Sequence, residues 1–250
     1  MTEENILLRM QEPGPGDRID VVMAAAPGQL PVYAPGLVSW LHTRPLAAPG
    51  LVTIPRRERL WVAVIESETQ FRHHVSPWNG VGRGWDFSAA RDASLNTWSR
   101  LRGPARLLVE PQPWTEIEHS QISSVTRRGE AEWTIGRAGV AHGLAVWPEV
   151  VLDDTIVLAN PWSDPESAVG HAFFPWPGPI PLSVGDRVSV RLDGTVSEGC
   201  GVWTWRSCVD PRHPSDRPST SFTQSTFLAN LELPSLLRQT RPGHVPARTM

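Results

Sequence analysis

Eight histidines, 26 carboxylates and two cysteines are the groups in this 250-residue chain with chemistry to offer, and their spacing decides how much. His73 and His74 suggest a metal pair, yet neighbours on an extended strand point to opposite faces, and no third ligand follows at metal-site spacing. They read as solvated loop histidines. His142 and His171 each sit in a strand-like segment, where buried, hydrogen-bonded structural roles outweigh acid–base work. Glu66, Glu68, Glu116, Glu118, Asp153 and Asp154 are scattered or lie on turn signals, and make no recognisable pair of the glycoside-cleaving kind. There is no serine elbow and no phosphate-cradling glycine loop. Cys200 and Cys208 fall in what reads as one extended strand, about 26 Å apart and beyond bridging distance. Free thiols of this kind predict a cytoplasmic protein.

Composition narrows the classes further. A net charge of −3 with mixed signs gives no electrostatic case for nucleic acid or an anionic membrane surface. No run approaches the roughly 18 apolar residues of a membrane span, and the acidic start at Met1-Thr2-Glu3-Glu4 has no apolar signal core. Every basic residue is arginine, which with 25 prolines points to codon usage in a GC-rich genome. Twelve tryptophans against one tyrosine admit two readings: filler for a strand-rich core, or an exposed stacking platform for a sugar or aromatic ligand. Their spread along the chain favours the core.

The elements that must position these groups fall into three regions. Residues 1–66 read as a short α/β piece, with strands at 18–24, 51–54 and 60–65 and a helix at 37–43. Residues 67–209 begin with a Gly/Trp-rich loop near 77–86, a helix at 88–101 and a strand near 105–109. From 131 onward they become short strands punctuated by Gly136, Asp153-Asp154, the prolines of 161–165, Pro177-Gly178-Pro179, Gly185-Asp186 and Asp193-Gly194. That punctuation predicts a mainly β fold, an antiparallel barrel or sandwich behind a residual N-terminal α/β segment. Residues 210–250 read as a proline-rich loop and a tail with one short helix near 234–239.

Several phrases, in order, resemble the protein arginine methyltransferase family, chiefly its C-terminal β-barrel half and its bacterial relatives. Asp20-Val21-Val22-Met23-Ala24-Ala25 is similar to the strand that ends in Asp-x-x-x-Ser-Glu, with Gly28 on the following loop. Residues 37–43 match the next helix, 49–55 the pGG-x-x-x-P turn, and 60–66 the strand after it. Trp85-Asp86-Phe87-Ser88 resembles G-x-D-x-S, residues 137–147 the raG-x-v-h-G-x-x-x-W strand pair, and Val202-Trp203-Thr204-Trp205 the late v-W-s-W strand.

The resemblance implies an S-adenosylmethionine chemistry and also where it is broken. The family's two guanidinium-clamping glutamates fall on Ala25 and Ala34, which cannot localise a cation by charge-assisted hydrogen bonds. No Gly-rich turn with a ribose-binding acid can be identified. These departures argue against a standalone arginine methyltransferase, because methyl transfer depends on holding two reactants in line. The resemblance instead implies a pseudoenzyme or half-catalytic subunit that binds no cofactor by itself. S-adenosylmethionine would reside in a separately encoded methyltransferase partner, or the chain would form a homo-oligomer. The family's barrel histidine is nearest to His171, although Gly170 and Ala172 replace its Thr-His-Trp flank; His142, His171 and Trp176 are the expected acceptor-pocket residues. Asp20, Val22, Leu37 and Trp40 are the expected partner interface. The alternative is a free-standing module that binds a small molecule or carbohydrate through exposed tryptophans.

Overall fold

The apolar run from Leu60 to Ile65 does not alternate with polar residues, as expected of a strand covered on both faces. The computed structural model, which describes residues 16, 18–23, 44–78, 85–124, 126–158, 162, 170–197, 200–215 and 217–231, shows what covers it. The chain enters through β1 (Ile19–Met23) and β2 (Ala47–Ile54), a parallel pair with Val21 opposite Val52 and Met23 opposite Ile54. β3 (Arg57–Glu66) follows and lies antiparallel to β8 (Gly139–Val151), from Arg57 opposite Val151 to Ile65 opposite Gly143. Leu60, Val62 and Val64 point into one core, Ala63 and Ile65 into a second.

Around this ladder a seven-stranded sheet assembles. Its other members are β4 (Ser99–Arg100), β5 (Arg106–Leu107), β6 (Gln112–Glu118), β9 (Val157–Leu158) and β10 (Ala172–Leu182). A second sheet runs in the order β13-β12-β11-β7, built from β7 (Arg127–Thr134), β11 (Arg187–Ser197), β12 (Cys200–Asp210) and β13 (Thr220–Ser225). On β7, Ala131 and Trp133 turn inward while Arg128, Glu130 and Glu132 turn out, the alternation of a half-buried strand. The first core fills the space between the sheets. The second lies between the larger sheet and the helices α1 (Glu68–His74) and α2 (Ser88–Leu95). A short α3 (Thr226–Leu231) packs beside α2.

The fold is mainly β, as the sequence predicts, but the described strands form three sheets, of two, seven and four strands, and not one hydrogen-bonded ring. Tryptophan is core material here. Trp114, Trp133, Trp176, Trp203 and Trp205 are buried in the first core and Trp147 in the second. Burying one such ring removes about 200 Å² from water, worth roughly 5 kcal/mol before entropy is counted. Trp205 also satisfies its indole N–H, which donates to the Pro175 carbonyl and to Gln224 Oε1.

Four expectations need correction. The strand at 60–65 does not close an N-terminal α/β sheet; it is central to the larger sheet, so the segment 1–66 gives its last strand to its neighbour. The helix expected at 88–101 stops at Leu95, because Ser99 and Arg100 are drawn into pairing with Phe173 and Ala172. Pro177-Gly178-Pro179 is not a turn but an irregularity within β10, where register against β8 shifts between Pro175 and Ile180; proline has no N–H to give to a ladder. Asp193-Gly194 also lies inside a strand, with Gly194 opposite Trp203 and Arg127. The helices expected at 37–43 and 234–239 lie outside the described residues.

The two sheets meet where β6 passes β7. A Cβ added to Gly129 would stand 1.7 Å from the Trp114 carbonyl oxygen and 2.7 Å from its carbon, both backbone atoms that cannot swing aside. Gly129→Ala is therefore expected to cost about 3 kcal/mol by forcing the sheets apart. Urea unfolding measures this, and a loss below about 0.5 kcal/mol would mean that the seam is looser than its geometry.

Candidate functional site

The helix-covered face of the larger sheet gathers two of the three expected pocket residues. His171, just before β10, is 1% exposed, and its ring stands edge-on to Trp147 and to Trp162, each at 5.1 Å. Trp147 and Trp162 are 5.6 Å apart, so the three rings close into a triangle. Trp61 lies opposite Trp147 across the β3–β8 ladder, and the Arg59 guanidinium sits 5.8 Å from the Trp61 ring. Arg59 is held there by Glu116 and Glu149.

His142 occupies the same layer. It sits on β8 one residue beyond the Ile65–Gly143 pair, buried, with its ring 5.7 Å from Phe71 of α1. The Ser67 N–H, at the entrance to α1, approaches its Nδ1 at 3.3 Å. Burial pushes the His142 pKa down; the Val140 backbone and the charges of Glu66 and Glu68 oppose this. Glu66 is held below its ordinary value mainly by its hydrogen bond from Arg106. A neutral ring that receives a backbone N–H fixes the start of a helix; His142 is thus a positioning group in this geometry.

Trp176 lies on the other side of the sheet. It is fully buried in the first core, its ring 5.3 Å from Phe222. The structure therefore joins His142 and His171 in one layer and separates Trp176 from both. On β1, Asp20 is exposed, while Val22 packs against the first core. Val21, Met23 and Val52, on the opposite face of the parallel pair, are 51%, 72% and 52% exposed. Ala25, Ala34, Leu37 and Trp40 lie outside the described residues.

His73 and His74 are on a helix and not on a strand or loop. His73 Nδ1 donates to the Thr69 carbonyl one turn back, and His74 Nε2 reaches the Ser94 and Thr97 carbonyls at 2.9 and 2.8 Å, tying α1 to the end of α2. Among the described residues no cluster of three or more His, Cys, Asp or Glu could hold a metal ion. No described helix is long and apolar enough to cross a membrane. Both cysteines lie on β12, where burial raises the Cys208 thiol pKa and so keeps it protonated.

Sequence reasoning missed one buried pair. Glu58 and His119 are 4% and 8% exposed, with Oε1 and Nε2 3.3 Å apart. A signal for it exists: Glu58 occupies the same inward phase of β3 as Leu60, Val62 and Val64, where a lone carboxylate needs a partner.

The His142 environment makes a pH prediction. A histidine whose folded pKa is lowered leaves the folded chain short of a proton that the unfolded chain takes up below about pH 6.5. Its contribution is present above that value and lost as pH falls through it. His142→Asn keeps an acceptor for Ser67 but does not titrate. Thermal unfolding between about pH 7.5 and 5 is expected to fall more steeply for the wild type than for this variant. Parallel slopes would show that the ring does not stay neutral.

No family model matches the chain. Among curated proteins it is similar to an arginine N(omega)-methyltransferase from Streptomyces achromogenes subsp. streptozoticus, at 26% identity over 165 residues. That match covers 62% of this chain and 44% of the relative, so the chain spans less than half of the relative's length. Among solved structures it is similar to the Trypanosoma brucei PRMT1 enzyme–prozyme heterotetrameric complex with AdoHcy, with TM-score 0.66 and 16% identity, covering 84% of this chain and 68% of that one. Arabidopsis thaliana protein arginine methyltransferase 10, in an open conformation, gives TM-score 0.63 and 16% identity, covering 86% and 72%. The chain therefore has a protein arginine methyltransferase fold and is similar in sequence to an arginine methyltransferase.

Proposed function

We propose that this chain is the acceptor-side subunit of an S-adenosylmethionine-dependent methyltransferase, and that a separately encoded methyltransferase chain supplies the cofactor site. The observation that carries this reading is the parallel pair β1–β2. Among the described residues β1 has a strand on one side only, and one face of the pair carries exposed Val21, Met23 and Val52. Parallel strands are ordinarily covered on both faces and flanked by further strands, and a two-stranded sheet alone is marginal. Among the described residues the edge of Ile19–Met23 away from β2 has no strand beside it, and it would accept a strand of another sheet by strand addition.

Two further facts support it. Ala25 and Ala34 stand where the resemblance puts the paired glutamates, so the clamp on an acceptor cation has to come from elsewhere, or the acceptor is not a guanidinium. The Trypanosoma brucei neighbour is itself an enzyme–prozyme heterotetrameric complex. In this role the buried His171, Trp147 and Trp162 layer supports the acceptor side from within the sandwich, and β1 is the contact with the partner.

Calorimetry with S-adenosylmethionine tests the reading. The purified chain alone is expected to show no saturable binding, and a co-purified complex with a methyltransferase partner one site per pair. Saturable binding by the chain alone would place the cofactor site within it and end the subunit reading.

A further inference from the structure

The solvent face of the four-stranded sheet is polar, and its charges are not evenly paired. Val188, Val190 and Leu192 of β11 and Trp203, Trp205 and Val209 of β12 point into the first core, so Ser189, Arg191, Arg206 and Cys208 point out. Across the β11–β12 ladder Arg191 stands directly opposite Arg206. Like charges facing each other on neighbouring strands repel, and the pairing is destabilising unless something else sits between them. At this place the face is hollowed into a groove of about 470 Å³, lined in part by Arg191, Arg206, Ser189, Cys208 and Glu130.

The other charges on this face already have partners. Glu132 is held by Arg187 through both Nε and Nη2, and Asp193 by Arg128 at 3.1 Å. Arg191 reaches Asp193 through Nε at 3.3 Å and Glu130 through Nη1 at 3.6 Å. Asp210 lies opposite Arg187, four residues and about 14 Å along the strands from the Arg191–Arg206 pair. Arg206 is different. Its Nε donates to the Thr223 hydroxyl at 3.2 Å, and among the described residues no carboxylate pairs with it and its Nη groups donate to nothing.

We propose that the groove at Arg191 and Arg206 binds a small carboxylate. A carboxylate accepts planar, charge-assisted hydrogen bonds from two guanidinium forks at once, so one seated between the opposed arginines replaces their repulsion with a shared attraction. Ser189 and Cys208, paired on the groove floor, are small enough to leave room for the ligand, and the Ser189 hydroxyl adds a donor. Charge selects the class of ligand. Arg191 already shares two carboxylates, so the pair lacks about one negative charge; a carboxylate supplies it, whereas a phosphate dianion exceeds it and is repelled by Glu130 at the groove wall. The site lies on the opposite side of the sandwich from the His171 layer, and it stands whether or not a partner docks on β1.

Acetate presents the carboxylate alone and is the probe. In an NMR titration of the full chain near pH 7, with acetate exchanged for chloride at constant ionic strength, the amides of Ser189, Arg191, Arg206 and Cys208 are expected to shift saturably with one midpoint while β3 and β8 stay still. Arg206→Gln removes an exposed side chain and is expected to raise the midpoint about tenfold, the loss of one charged hydrogen-bonding partner. Inorganic phosphate in place of acetate is expected to bind more weakly. Shifts that only drift linearly with concentration, as general ion effects do, would overturn the proposal, and so would a midpoint that Arg206→Gln leaves unchanged. Phosphate binding tighter than acetate would overturn the carboxylate assignment.

Discussion

The antiparallel ladder of β3 on β8 is the constraint from which the remaining arrangement follows. Both strands are apolar on both faces, so neither face can be left to water. One face is closed by the second sheet, whose tryptophans fill the intervening core. The other is closed by α1 and α2 through Phe71, Val75 and Leu95. Each closure then needs its own fastening. Gly129 lets β7 approach β6 at the seam, Ser67 and His142 fix the entry to α1, and His74 ties α1 to α2. Buried polar groups in this protein are largely joints between layers.

That principle explains how histidines came to be spent. His142, His74 and His119 each sit where a strand or turn must hold a helix or a second unit, and each does so with a ring nitrogen placed beside a backbone group or a carboxylate. His171 differs, being enclosed by indole rings. His171 and Trp176 are both buried, on opposite faces of the larger sheet.

The architecture was legible where burial wrote itself into composition. A continuous apolar run marks β3, while the phrase at 137–147, which resembles a strand pair, falls on the single long strand β8. What could not be read was decided by non-local pairing. Ser99 and Arg100 continue a helical pattern but are captured by β10, and Pro177-Gly178-Pro179 carries every local sign of a turn while β10 continues through it. The doubly apolar β3 reads as part of the N-terminal segment but pairs in the larger sheet, because periodicity reports that two faces are covered and not by what. Glu58 and His119 meet across a wide sequence separation, so only the inward phase of Glu58 hinted at the pair.

The proposed contact with a methyltransferase partner turns on β1, which among the described residues pairs with β2 alone. Hydrogen exchange at Ile19–Met23, measured in the isolated chain and in its complex with a co-purified methyltransferase chain, tests it most directly. Fast exchange is expected in the isolated chain and strong protection of alternate β1 amides in the complex, with the sandwich strands unchanged. Equal protection of β1 in a monomeric, isolated chain would contradict it and leave a self-contained sandwich whose parallel strands need no partner.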